Sequence, residues 1–347
     1  MLKKNVTQKD IAQALNISRG TVDRALHNRK GISPRVKARV IAKATALGYS
    51  PNKIAQFLVT GRSVNIAIIT PGDLLWKKVK QGAKSFLSVL DGRVVNIKWH
   101  QTSVHDAVKE QEIMKSVLAD AVDGIGIAPA DPEILRTLID EAVETDIPVV
   151  TLNTDSPKSR RLCYVGQDPI RAGRIAGELM GKFLVGKGKV IVITAFANVL
   201  VHKLRIDGFR QELAASFPEI QIVGIYEDRD SSAKAYSIVK KILLQKEDIQ
   251  AIYLTTGNGP AGVGRALKEA QKCGSIKVIC FDFFPETIDM LKDGTVSAAI
   301  GEDPYGQGYQ TIKILYEFIV DGRKPSSDSV YTKIDIGLRG NIDSLVG

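Results

Sequence analysis

Two periodicities divide the chain. Up to about residue 49 the apolar positions recur at helical spacing, and from Asn65 onward short apolar runs alternate with amphipathic stretches. In the first part, Thr7 followed by Asp10 is a helix-start signal, and Ile11, Ala12 and Leu15 then share one face. Asn16-Ile17 makes a short turn. Ser18 caps a second helix that carries Val22, Ala25 and Leu26 inward and Arg19, Gly20, Thr21, Arg24 and His27 outward. Ser33-Pro34 begins a third helix with Val36, Val40, Ile41, Ala44 and Leu47 on its apolar face, and Gly48 stops it. Two short helices, a tight turn and a basic outer face read as a helix-turn-helix whose second helix suits a major groove. A helical hairpin with a solvated basic face is the plainer reading.

Residues 50–63 form a separate segment. Ser50-Pro51 signals a helix start and Gly61 ends it after barely two turns, too short to be stable alone. It is either a plain linker or a hinge that becomes helical when DNA and a second subunit supply partners. Beyond it, the runs at 66–70, 94–99, 124–128, 148–152, 189–194, 222–226, 251–255 and 277–281 read as buried strands, nearly all separated by helices. That alternation predicts an α/β core of mostly parallel sheets covered on both faces. The polar stretch Asp155–Arg161 breaks it and is placed as a boundary between two similar lobes. The expected domains are 1–49, 50–63 and 64–347, with lobe 1 at about 64–160 and 296–322 and lobe 2 at about 161–295 and 323–340.

Charge sharpens this picture. Through Arg62 there are 13 Lys and Arg against only Asp10 and Asp23, while the remainder holds 35 basic and 36 acidic residues. The whole positive excess sits in the first sixth of the chain, as in a phosphate-contacting module. Three cysteines, Cys163, Cys273 and Cys280, have no metal or disulfide spacing and suit a reducing compartment. Neither a signal-peptide run nor a membrane-length apolar stretch appears, so a cytoplasmic protein with no membrane partner is expected. The four histidines, at 27, 100, 105 and 202, are scattered, and no catalytic set or metal site stands out. Gly257-Asn258-Gly259-Pro260-Ala261-Gly262 is a literal dinucleotide fingerprint, with Asp282 about 20 residues on. It keeps an NAD-binding enzyme or redox sensor as an alternative, although Pro260 removes a backbone donor; a glycine-rich turn is the simpler reading, and no cofactor is expected.

The run from Val6-Thr7-Gln8-Lys9-Asp10-Ile11-Ala12 through Ser18 and Thr21-Val22 to Arg24-Ala25-Leu26, followed by Gly48-Tyr49-Ser50-Pro51-Asn52-Lys53 and the segment to Ser63, resembles the lactose/galactose-repressor family. The resemblance spans the chain and implies a three-helix headpiece, a hinge helix and a two-lobed core similar to periplasmic sugar-binding proteins of the ribose-binding type. It implies DNA contacts at Thr7, Ser18, Arg19, Gly20, Thr21, Arg24, His27, Asn52 and Leu58. Arg19 and Gly20 fall at the main base-reading positions, and Leu58 at a leucine that wedges into the minor groove. Asp23 stands where the family has a phosphate-contacting Ser, so its carboxylate must accept from a cytosine, pair with an Arg or point away.

For the core, the resemblance implies a ligand held at strand C-terminal ends by Asp73, Trp76, Asn153, Arg205, Asp230, Thr256, Asp282 and Glu302. Carboxylates accepting from vicinal hydroxyls, Asn and Arg donating, and an aromatic ring over the sugar face suit a sugar or polyol. Thr256-Gly257 replaces a usual Asn-Asp pair, Asp230 stands at a common aromatic position and Glu302 replaces an amide. These departures make the site more polar and acidic and disfavour a phosphorylated sugar. The reading is a ligand-controlled transcriptional regulator, a repressor, binding a pseudo-palindromic double-stranded operator as a homodimer. A non-regulatory sugar-binding protein is the remaining alternative.

Overall fold

A computed structural model describes residues 6–26, 31–47, 63–72, 74–90, 95–103, 106–197, 199–245 and 248–346. His27, Asn52, Leu58 and Asp73, and the expected hinge helix apart from Ser63, lie outside these described residues. Two compact units result: Met1–Ser63 with Tyr316–Lys324, and Val64–Leu315 with Pro325–Gly347.

In the N-terminal unit, α1 (Gln8–Leu15), α2 (Arg19–Leu26) and α3 (Pro34–Ala46) form where their caps predict. Asp10 Oδ2 accepts from the Thr7 N–H at 2.7 Å, and Thr7 Oγ1 accepts from the Asp10 N–H at 3.4 Å. Asn16 ends α1 with a left-handed φ of 52°. Ser18 Oγ accepts from the Thr21 N–H at 3.1 Å and Ser33 Oγ from the Val36 N–H at 3.4 Å. Ile11, Ala12, Val22, Ala25, Val40 and Ala44 make the buried centre. Ile41 departs from its expected place on the apolar face of α3: it is 45% exposed. So small a unit covers only a narrow stripe of a helix, and Val40 and Ala44 already fill it.

The core unit holds two six-stranded sheets. The first contains β1 (Val64–Pro71), β2 (Val95–Thr102), β3 (Gly124–Ile127), β4 (Val149–Leu152), β5 (Cys163–Gly166) and β11 (Ser329–Tyr331), in the order β11-β5-β4-β3-β1-β2. The second contains β6 (Lys187–Thr194), β7 (Glu219–Glu227), β8 (Ala251–Leu254), β9 (Lys277–Phe281), β10 (Ala298–Gly301) and β12 (Asp335–Gly337), in the order β12-β10-β9-β8-β6-β7. Every pairing is parallel except β10 with β12. Between the strands lie α4 (Leu74–Ser88), α5 (Ala107–Ala119), α6 (Pro132–Glu144), α7 (Pro169–Phe183), α8 (Leu200–Ser216), α9 (Ser232–Leu244), α10 (Pro260–Glu269), α11 (Pro285–Asp293), α12 (Pro304–Asp321) and, last, α13 (Ile342–Val346). Among the described residues, no helix is long and apolar enough to cross a membrane.

The sheet order corrects the lobe limits read from the sequence. Asp155–Arg161 does not separate the lobes; it joins β4 to β5, which pair in parallel within the first sheet. Asp155 binds Arg161 through both carboxylate oxygens, at 2.5 and 2.6 Å, and so fastens this polar connection to itself. The chain crosses after β5 rather than before it, returns after β10, and crosses again between β11 and β12. Two of those crossings carry Gln167 and Glu302 directly into the space between the sheets.

Helices α7 and α8 pack closely in the second lobe. A Cβ on Gly173 would collide with the Arg205 carbonyl, and one on Gly208 with the Ile170 carbonyl. Only glycine allows so close an approach, and it fixes the backbone that carries Arg205.

Candidate functional site

The two lobes enclose a cavity of about 100 Å³ at the C-terminal ends of their strands. Seven of the eight expected ligand positions line it: Trp76 and Asn153 from the first lobe, Arg205, Asp230, Thr256 and Asp282 from the second, and Glu302 from a crossing. Arg205 is its buried centre, 2% exposed. One of its terminal nitrogens donates to the Thr255 carbonyl at 2.8 Å; the other donates to Gln167 Oε1 at 3.2 Å and to Glu302. Its guanidinium carbon lies 3.7 Å from the centre of the Phe281 ring. Glu302 in turn accepts from Asn153 Nδ2 at 2.5 Å and Gln307 Nε2 at 3.3 Å. The carboxylate therefore bridges an amide of the first lobe to a guanidinium of the second. Its added charge, expected from the sequence to acidify the site, is matched by Arg205.

Three of the lining residues sit in left-handed backbone: Asn153 (φ 65°), Asp230 (φ 59°) and Asp282 (φ 65°). Such conformations cost about 1–3 kcal/mol each and gather where function needs them, with Asn and Asp the side chains that tolerate them best. Asp230 also accepts from Asn258 Nδ2 at 2.8 Å.

Glu110 on α5, His202 on α8 and Phe284 ahead of α11 line the same cavity, and the sequence reading passed over all three. Glu110 did leave a signal: it lies in the buried stripe Glu110, Met114, Val117, at spacings of four and three. It is fully buried; one oxygen accepts from the Ala130 N–H at 2.8 Å and the other has no partner. Burial pushes its carboxyl up to about 7, against the opposing Ala130 bond and with Asp106 adding to the rise. Because the folded value exceeds the unfolded one of 4.5, its contribution to stability is full below pH 4.5 and is lost as pH rises through 7. Glu110→Gln is therefore expected to raise the melting temperature relative to wild type more at pH 8 than at pH 5. Melting curves across that range check it, and a constant difference would contradict it.

The glycine motif before α10 is occupied by the protein itself. A Cβ on Gly262 would collide with the Ser232 carbonyl, and one on Gly259 would come within 2.6 Å of Asp228 Oδ2. Gly257 faces Asp282 Oδ2 at 2.8 Å in the same sense. These glycines make room for α9 and for two carboxylates, where a pyrophosphate would need positive potential. The dinucleotide alternative gains nothing from this geometry.

In the N-terminal unit, Thr7, Ser18, Arg19, Gly20 and Arg24 are exposed and Thr21 is half-buried, so the expected DNA-reading face is open. Ser18 Oγ lies 2.9 Å from Thr21 Oγ1. Asp23 is half-buried and accepts from Gln8 Nε2 at 3.5 Å, which turns its carboxylate toward α1.

A helix-turn-helix unit joined to a two-lobed cleft of convergent polar groups defines a DNA-binding regulator with a sensor core. Residues 66–324 match the periplasmic binding protein domain, and residues 7–52 match the bacterial regulatory proteins of the lacI family. The chain belongs to the periplasmic binding protein domain family over its core and carries a lacI-family helix-turn-helix domain at its N-terminus. Among its relatives, ribose import binding protein RbsB of Haemophilus influenzae is 23% identical over 268 residues, spanning 77% of this chain and 88% of that protein. Catabolite control protein A of Priestia megaterium is 21% identical over 264 residues, spanning 75% and 76%. Similar solved structures include a solute-binding protein from Burkholderia graminis in complex with D-arabinose, at 26% identity and a TM-score of 0.76 over 81% of this chain and 97% of that one. The glucose-galactose binding protein GanP of Geobacillus stearothermophilus gives 27%, 0.75, 81% and 99%.

Proposed function

We propose that the protein is a cytoplasmic repressor that binds a pseudo-palindromic operator as a homodimer and is controlled by a sugar or polyol in the interlobe cleft. It is read as a sensor without catalytic activity. The observation that carries the ligand reading is the convergence of Trp76, Asn153, Arg205, Asp230, Thr256, Asp282 and Glu302 on one cavity. Carboxylates, an amide and a guanidinium around an indole are the groups that recognise vicinal hydroxyls on a ring. The sugars named for similar binding proteins, ribose, arabinose, glucose and galactose, are the first ligands to screen. On the DNA side, the open face of α2 supports Arg19 and Arg24 as base readers, with Thr7, Ser18 and Thr21 on the backbone. His27, Asn52 and Leu58 complete the proposed contacts. A single headpiece reads too few bases for operator specificity, which favours a dimer.

A ligand that touches Asn153 of the first lobe and Asp282 of the second favours the closed cleft, and that difference in affinity is the source of control. Linkage then requires the operator to change sugar affinity by the factor by which the sugar changes operator affinity. The test is a titration of the best sugar from a thermal-shift screen, with and without saturating operator. Asp282→Ala is expected to abolish the response while leaving DNA affinity within about threefold, since distant sites are nearly additive. Equal sugar affinity with and without operator would leave a DNA-binding protein with an uncoupled pocket.

A further inference from the structure

The cavity lining holds more carboxyl groups than cations. Arg205 supplies the guanidinium, and Glu302 already takes its charge. The described lining carries four carboxyl side chains, of Glu110, Asp230, Asp282 and Glu302, against one guanidinium and no lysine. Glu110 lines the same cavity from the first lobe, fully enclosed, with one oxygen on the Ala130 N–H and the other without a hydrogen-bond partner among the described residues. A purely structural acceptor for Ala130 needs one oxygen, which glutamine would supply without the desolvation of an acid. An unpaired buried carboxyl oxygen costs stability wherever nothing uses it.

We infer that the effector carries a basic nitrogen, as an amino sugar or amino alditol does, and that Glu110 is the group that receives it. This rests on the sugar-or-polyol reading of the cleft and narrows it. In that arrangement the hydroxyls fall to Asn153, Asp282 and Trp76, and the ammonium donates to the unsatisfied oxygen of Glu110. The bond is charge-assisted and shielded from water, where such bonds are strongest. The carboxylates of the lining add an attractive field for a cation and a repulsive one for phosphates and uronates.

The test uses matched pairs on the full chain at about neutral pH, read by calorimetry: glucosamine against glucose, galactosamine against galactose and glucamine against sorbitol, with a hexose phosphate as the anionic arm. The amine of at least one pair is expected to bind about tenfold or more tighter than its neutral partner, the weight of a charge-assisted over a neutral hydrogen bond. The hexose phosphate is expected to bind weakest. Glu110→Gln keeps an acceptor for Ala130 and should bring each pair to within about threefold, mostly by weakening the amine. Neutral sugars that bind as well as their amines would overturn the inference and leave the sugar reading standing. A preference that survives Glu110→Gln would overturn the role of Glu110. No binding in any arm would overturn the inference together with the reading on which it rests.

Discussion

Raising monovalent salt from about 50 to about 200 mM is expected to weaken operator binding by about three orders of magnitude or more. Thirteen basic residues stand against two acidic ones through Arg62, whereas the rest of the chain is nearly balanced. Each phosphate that the headpieces neutralise releases condensed counterions, so the dependence should be linear in the logarithm of salt, with a slope set by the number of contacts. A dimer with about 6–10 such contacts would lose about 10³ to 10⁵ in affinity over that range. The core, with its balanced charge, should add little. Fluorescence anisotropy of labelled operator across a salt series measures the slope, and a nearly flat line would remove the headpiece from DNA binding. Arg24→Ala separates the two kinds of contact: a base reader should cost about 1–3 kcal/mol on the operator and much less on random duplex.

Replacing Arg205 with methionine is expected to destabilise the core by about 3–5 kcal/mol, because it strands the carboxylate of Glu302 inside the protein. Both side chains are almost wholly buried, at 3% and 5% exposure, and among the described residues no other cation is bonded to Glu302. Removing one member of such a pair costs more than the pair contributes, since the survivor keeps its desolvation without its partner. The double variant Arg205→Met with Glu302→Gln should therefore recover most of the loss. Effector binding should be absent from both variants, as both lack the donor at the centre of the cleft. Urea titration of wild type, single and double variants gives the comparison. A double variant no more stable than the single one would mean that Arg205 acts through its contacts with Thr255, Gln167 and the Phe281 ring instead.

What could be read in advance was what is local. The caps at Thr7 and Ser33 work within three residues, and the long strands announce themselves through runs of Val and Ile. β5 and β10 are four residues each, built from Cys, Tyr, Val and Gly in one case and Ala, Ile and Gly in the other, too short and too small to stand out. Missing them displaced two of the lobe crossings, because which sheet a strand joins depends on partners far along the chain. Thr256 and Asp282 follow recognisable strands, whereas Arg205, within a helix, and Glu302, after the unrecognised β10, came only from the resemblance. Glu110 was not legible, because on a helix an acid reads as solvated unless its place in the buried stripe with Met114 and Val117 is weighed.

The left-handed backbone at Asn153, Asp230 and Asp282 also limits how this receptor can diversify. A β-branched side chain at any of the three would crowd the neighbouring carbonyl, so Asn, Asp and Gly are the residues that hold this backbone at least cost. At Trp76, Thr256 and Glu110, whose φ angles lie outside that left-handed region, the limit is packing instead, because all three are buried. A library at those three positions must therefore conserve side-chain volume to keep the fold.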